Sequence, residues 1–151
     1  MSRKNSKPLK LKTFIPYQLS VVTNKISTAF ARLYSERFDL SVHEWRVMAV
    51  LGEQPRLSAD QVCAATEMDK VTVSRAVARL LEKKLLDRSY APEDKRRSVL
   101  TLTTTGHAAY SRIVPLALQF EQDLEQALSK AELKQLQNCL AKLNGHADGL
   151  Q

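Results

Sequence analysis

Three times this chain sets a serine three residues ahead of a Glu or Gln at the head of an apolar stretch: Ser41-Val-His-Glu44, Ser58-Ala-Asp-Gln61 and Ser129-Lys-Ala-Glu132. In that spacing the hydroxyl accepts from the backbone amide three residues on, and the Glu or Gln reaches back to the serine amide, so each is a helix start. Asp69, ahead of Lys70-Val-Thr, is a fourth cap. Four such starts in 151 residues commit most of the chain to helices. Composition agrees: 4 Gly and 6% aromatic residues argue against an all-β sandwich or barrel, while 44% hydrophobic residues suffice for a real core. So few glycines also weaken a nucleotide-binding reading, because a phosphate-cradling loop needs Gly where backbone approaches the ligand.

Hydrophobic spacing extends these starts into elements. Ile15, Leu19, Val22, Ile26, Phe30 and Leu33 recur at steps of three and four, which predicts a first helix over about Pro16 to Arg37. A second helix is expected from Val42 to about Gly52, a short third from Ala59 to Thr66, and a fourth from Lys70 to about Lys84. The period then changes. Leu86–Tyr90 and Ser98–Thr103 are alternating or β-branched and flank Ala91–Arg97, which reads as a hairpin with a charged tip. Ile113, Leu116, Phe120, Leu124 and Leu128 place a long helix over Thr104 to Leu128, and Pro115 inside it is expected to kink it. Ser129 opens a last helix to about Leu143, with Leu133, Leu136 and Leu140 on its apolar face and Gly145 as the stop. The fold class is therefore mainly α with a small β-hairpin, in the order α-α-α-α-β-β-α-α.

The net charge of +7 is unevenly placed. Residues 1–12 hold five basic residues and no acid, and residues 69–97 hold nine basic and five acidic ones; the other two stretches are each slightly acidic. Charge confined to an arm and one central segment is expected where one surface faces a polyanion, although a basic segment also suits plain solvated surface. The central segment is more telling. Helices three and four meet over Glu67-Met-Asp69, the helix-turn-helix order. On a wheel of helix four, Val73, Ala76, Val77, Leu80 and Leu81 share one side; Thr72, Arg75 and Arg79 line a polar stripe away from it, and Ser74 flanks the other edge. Arg pairs bidentately with guanine, and Thr or Ser contacts base edges or a thymine methyl, so the stripe suits a major groove. The same spacing would serve an ordinary surface helix. The hairpin favours nucleic acid: Lys95, Arg96 and Arg97 are consecutive cations suited to a narrow minor groove, and Asp94 is placed to orient Arg96. Ser58 would bring a hydroxyl and helix-start amides near a phosphate.

Leu57-Ser-Ala-Asp-Gln-Val62, Asp69-Lys-Val-Thr-Val-Ser-Arg75, Leu80-Leu-Glu-Lys-Lys-Leu-Leu-Asp-Arg88 and Asp94-Lys-Arg-Arg-Ser-Val-Leu-Thr-Leu-Thr-Thr-Thr-Gly106 together resemble the MarR family of bacterial transcription regulators, over residues 15 to 145. The resemblance implies a winged helix-turn-helix over 41–103 with dimerisation helices at 13–37 and 104–145, in a single domain over 13–151. The charge of residues 1–12 separately suggests a disordered basic arm that adds phosphate attraction, or equally a solubilising tail. The resemblance further implies a homodimer on a palindromic operator in double-stranded DNA, with Arg96 in the minor groove, acting as a repressor released by a small aromatic or carboxylated effector. The residues lend separate support to the dimer. The apolar stripes of the first and last helices exceed what a small wing domain can bury, so they are expected to pack on another chain, unless they pack on each other.

The expected DNA-binding set is Ser58, Thr72, Ser74, Arg75, Arg79, Lys95, Arg96 and Arg97. Other chemistry finds little support. Cys63 and Cys139 are far apart and suit neither a disulfide framework nor zinc spacing, and a buried role suits Cys63 better than a sensor role. His43, His107 and His146 are isolated, so no metal is expected. No nucleophile–base pair or cofactor motif is present, so neither an enzyme nor a cofactor is expected. Trp45 and Arg46 suit a carboxylated aromatic ligand, and Trp45 equally suits the core. No apolar run approaches the roughly 18–20 residues that span a bilayer, and the basic start lacks an apolar signal region, so a cytoplasmic protein is expected. A winged-helix adaptor for another protein is the competing class.

Overall fold

The computed structural model describes residues 7–151, apart from the side chains of Ala91, Lys95 and Arg96. Six α-helices and one antiparallel hairpin follow in the order α1 (Ile15–Phe38), α2 (Val42–Glu53), α3 (Ala59–Thr66), α4 (Lys70–Glu82), β1 (Leu86–Ala91), β2 (Asp94–Leu102), α5 (Thr104–Glu125) and α6 (Lys130–Ala147), with single 3₁₀ turns at Leu11–Thr13 and Asp148–Leu150. The mainly helical class with a hairpin is as expected. Of the basic arm, Arg3 and Lys4 lie outside the described residues, whereas Lys12 belongs to the first 3₁₀ turn.

All three capping boxes form with both reciprocal bonds, at Ser41, Ser58 and Ser129, and the Asp69 side chain caps α4. These starts are local, each needing only a side chain and an amide three residues away, which is why the residue pattern predicts them. Helix ends diverge more. α4 stops at Glu82, short of the expected Lys84, because Lys84 takes a left-handed conformation (φ 59°). The Lys84 amide then donates to the Leu81 carbonyl at 3.0 Å and the Leu85 amide to the Leu80 carbonyl at 2.9 Å, the paired bonds of a Schellman stop. Gly145 does not end α6, which continues to Ala147. A glycine weakens a helix interior, and it stops a helix only where the chain turns left-handed. α5 ends at Glu125, earlier than expected, and runs through Pro115 without a break.

Contacts group the chain into two compact units, one up to Arg112 and one of Ile113–Gln151. In the first, Val47, Met48 and Leu51 of α2, Val62 of α3, Val73, Ala76, Val77 and Leu80 of α4 and Leu86, Leu100 and Leu102 of the hairpin are all buried. Sequence patterning missed one tie. Leu57, in the α2–α3 link, pairs with Leu100 as a short third strand edge: the Leu100 amide donates to Leu57 at 2.7 Å and the Leu57 amide to Leu100 at 3.3 Å. This fastens the hairpin to the helical core. Thr103 fastens its other end. The Thr103 hydroxyl donates to the Lys84 carbonyl (2.7 Å) and accepts from the Gly106 amide (2.9 Å), capping α5 against the turn that follows α4. In the second unit α6 buries none of its residues, and Leu136, Leu140 and Leu143 are 43–45% exposed.

Candidate nucleic-acid interface

Helix α4 is positioned from its first turn. Asp69 Oδ1 accepts from the Thr72 amide at 2.8 Å, and Oδ2 accepts from the Thr72 hydroxyl at 2.7 Å. The Thr72 hydroxyl and backbone amides hold the Asp69 carboxyl below its usual range, so the cap is ionised at neutral pH. One face of α4 is then locked into the core by Val73, Ala76, Val77 and Leu80. The other face, made of Val71, Ser74, Arg75, Ala78 and Arg79, is exposed. Among the described residues nothing in the chain hydrogen-bonds or ion-pairs with either guanidinium, so both are available to an external acceptor.

The expected stripe is therefore largely where the wheel put it, with one change of role. Thr72 is half-buried and its hydroxyl proton is committed to Asp69. It orients the start of α4 and leaves its methyl, rather than its O–H, for an outside partner. Thr72, Arg75 and Arg79 also form one wall of a shallow groove whose opposite wall is the start of α2, at Ser41, His43 and Glu44.

The hairpin departs from the expected geometry. The cations do not form its tip. Pro92 and Glu93 make the turn, Ala91 pairs with Asp94, and Lys95, Arg96 and Arg97 belong to β2. The next pair on the ladder is Tyr90 with Ser98, so these three residues have no partner across the ladder and form a bulge. A bulge, like a tip, leaves this stretch of strand free of pairing. The side chains of Lys95 and Arg96, and hence the proposed Asp94–Arg96 bond, lie outside the described residues. Arg97 is exposed and shares a groove with Ser58, Asp60 and Gln61 at the start of α3. Ser58 is committed to its capping box, accepting from the Gln61 amide at 3.2 Å, and its hydroxyl proton remains for an acceptor. Ser58 and Arg97 thus line one groove, although 39 positions separate them in the chain.

Two further features bear on the site. Glu44 is 1% exposed, and its Oε2 accepts from Lys83 Nζ at 2.9 Å while also completing the Ser41 box. Lys83 reaches Asp39 as well, through its carboxylate at 3.3 Å and its carbonyl. This ion pair fixes the C-terminal end of α4 to the start of α2; the capping pattern identified Glu44 without its second role. Beside it, Trp45 stacks on Tyr110 (6.0 Å between ring centres) and meets Tyr34 and Phe30 at 5.7 and 5.9 Å. Arg46 donates to Ser27 at 3.1 Å. Trp45 is half-buried, so it is part of an aromatic cluster of α1, α2 and α5 and still presents surface. Among the described residues no group of His, Cys, Asp or Glu could hold a metal ion, and no helix is long and apolar enough to cross a membrane.

Known proteins place this geometry in context. The MarR family model matches residues 38–97, which span α2 to the bulge of β2. A transcriptional regulatory protein for the hcr operon of Thauera aromatica is 30% identical over 114 residues, covering 76% of this chain and 69% of the relative. Among solved structures, a MarR/EmrR family transcriptional regulator from Acinetobacter sp. ADP1 superposes with a TM-score of 0.86 at 28% identity, covering 93% of this chain and 99% of that one. BpsR of Bordetella bronchiseptica, whose DNA binding is regulated by 6-hydroxynicotinic acid, superposes with a TM-score of 0.81 at 28% identity, covering 91% and 98%.

Proposed function

The chain belongs to the MarR family of DNA-binding transcription regulators, and from that membership and the site geometry we propose that it is a homodimeric repressor of a palindromic operator, released by a small aromatic carboxylate. The observation that carries the DNA-binding part is α4, whose buried face holds it rigidly while Ser74, Arg75 and Arg79 face outward with no side-chain partner among the described residues. Such a helix fits a major groove, with Arg75 placed for a bidentate contact to a guanine edge. The β2 bulge, bearing Lys95, Arg96 and Arg97, fits the flanking minor groove, and Ser58 with Arg97 fits a backbone phosphate.

Support for the dimer comes from apolar faces that stay exposed among the described residues. α1 exposes Ile15, Leu19, Val22 and Leu33, and α6 exposes Leu136, Leu140 and Leu143. Leucines repeated on one face and left half in water are stabilised by a second chain. Two subunits would set two α4 helices about one turn of duplex apart, hence the palindrome. In sedimentation, Leu136→Lys combined with Leu140→Lys is expected to shift the protein from two chains to one; a monomeric wild type would contradict the dimer. The effector reading rests on the Trp45 cluster with Arg46 at its edge, an aromatic wall and a cation together.

The deciding experiment selects duplexes from a random pool and measures affinity at several salt concentrations. Binding should weaken steeply with salt, as phosphate neutralisation requires. Arg75→Ala should lose about 1–3 kcal/mol and relax preference at one base of each half-site. Unchanged affinity and preference in that variant would remove Arg75 from the interface, and salt-insensitive or absent duplex binding would favour the adaptor class.

A further inference from the structure

Between Leu40 and Arg112 the described residues expose two large apolar side chains, Val71 at 60% and Tyr90 at 58%. One lies on α4, which also carries the exposed Lys70, Arg75 and Arg79, and the other on β1, the strand paired with the one that bears Arg97. Val71 is not part of the buried face of α4. It sits at the second position of α4, faces away from the core, and is β-branched, a type that helices accept less readily than Ala or the long polar residues. It shares a helix face with Ser74, Arg75 and Ala78, at steps of three, four and seven, and every one of these residues is exposed. A lone valine on a helix that also exposes Lys70, Arg75 and Arg79 is poor cover for a second copy of the same cationic face. It complements an anionic surface that offers one apolar group. In a duplex major groove that group is the thymine C5-methyl.

We propose that Val71 is a specificity-determining residue that packs on a thymine 5-methyl in each half-site, next to the base read by Arg75. The inference rests on the DNA-binding reading above and adds which base it selects and by what chemistry. The test replaces each dT of the selected operator, in both half-sites together, by dU, which removes the methyl and keeps every hydrogen-bonding group. At one symmetric pair of positions wild-type affinity should fall about fourfold per methyl lost, or about fifteenfold for the pair, the factor that follows from burying one carbon group. Val71→Ala should bind the dT and dU operators alike. Val71→Thr, which keeps the branch and one methyl, should retain part of the preference. Three outcomes would overturn the assignment while leaving DNA binding intact: a selected site without thymine, no dU position that weakens the wild type, or a dU penalty that persists in Val71→Ala. A wild type that binds no duplex would overturn the DNA-binding reading, and this inference with it.

Discussion

Lys83→Met is expected to lower the free energy of unfolding by about 2–3 kcal/mol, as read from urea denaturation. The reason is Glu44. Its carboxylate is buried, and Lys83 at 2.9 Å supplies the opposite charge. Removing the ammonium leaves a buried anion with little more than the Ser41 amide at 3.3 Å. Breaking a fully buried pair in this way costs about 3–5 kcal/mol, and the lower range applies because water reaches a quarter of the Lys83 side chain (26% exposed). Adding Glu44→Gln should restore most of the loss, since Gln keeps the capping box and carries no charge. A single variant as stable as wild type, or a double variant no better than the single, would show that the pair does not hold α4 to α2.

The same pair sets an alkaline limit. Burial pulls the Lys83 ammonium down, and the hydrogen bond and charge of Glu44, then those of Asp39, outweigh it and hold the ammonium above its usual 10.5. A raised native value means that the native state binds the proton more tightly, so this stabilisation is complete below pH 10.5 and is lost as pH rises through the higher native value. Tyr34 acts in the same direction: burial, opposed by Arg46, pushes its phenol from 10.0 up to about 12. Wild-type stability should therefore decline from pH 10 toward 12, and less steeply in Lys83→Met.

Gly106→Ala is expected to destabilise by about 3 kcal/mol, at the upper end of overpacking costs. A Cβ at this position would lie 2.1 Å from the Leu85 carbonyl oxygen and 3.0 Å from its carbon, both backbone atoms that no rotamer change can move. The start of α5 would have to lift off the turn after α4, breaking the bond from the Thr103 amide to Leu85 (3.1 Å) and that from the Thr103 hydroxyl to Lys84 (2.7 Å). The hairpin ends on this anchor, so operator affinity should fall together with stability. Gly145→Ala is the control. A Cβ there meets nothing within 4 Å, and the helix should gain roughly 0.5–1 kcal/mol. Equal effects of the two substitutions would remove the close approach at Gly106 as an explanation.

Structure and residue pattern agree best where the physics is local. Ser41, Ser58, Asp69 and Ser129 cap helices through bonds that span three residues, and the apolar face of α4 follows from its periodicity. Exposure of Ser74, Arg75 and Arg79 follows from the same wheel. Val71 lies outside the polar stripe, and an apolar residue on the outer face carries no signal in the sequence until its burial is known. Charge alone suggests a tip for Lys95, Arg96 and Arg97; pairing of Ala91 with Asp94 draws them into a bulged strand instead.

Residue order alone thus settled the number of helices, their starting points and which side of α4 meets water, since each depends on neighbours within one or two turns. Folding decided what distant residues do to each other: Lys83 neutralising Glu44, Leu57 pairing with Leu100, Ser58 sharing a groove with Arg97, and the Leu85 carbonyl demanding a glycine at 106. Those outcomes turn on separations of a few ångströms between segments tens of residues apart, and such distances exist only once the core has brought the segments together.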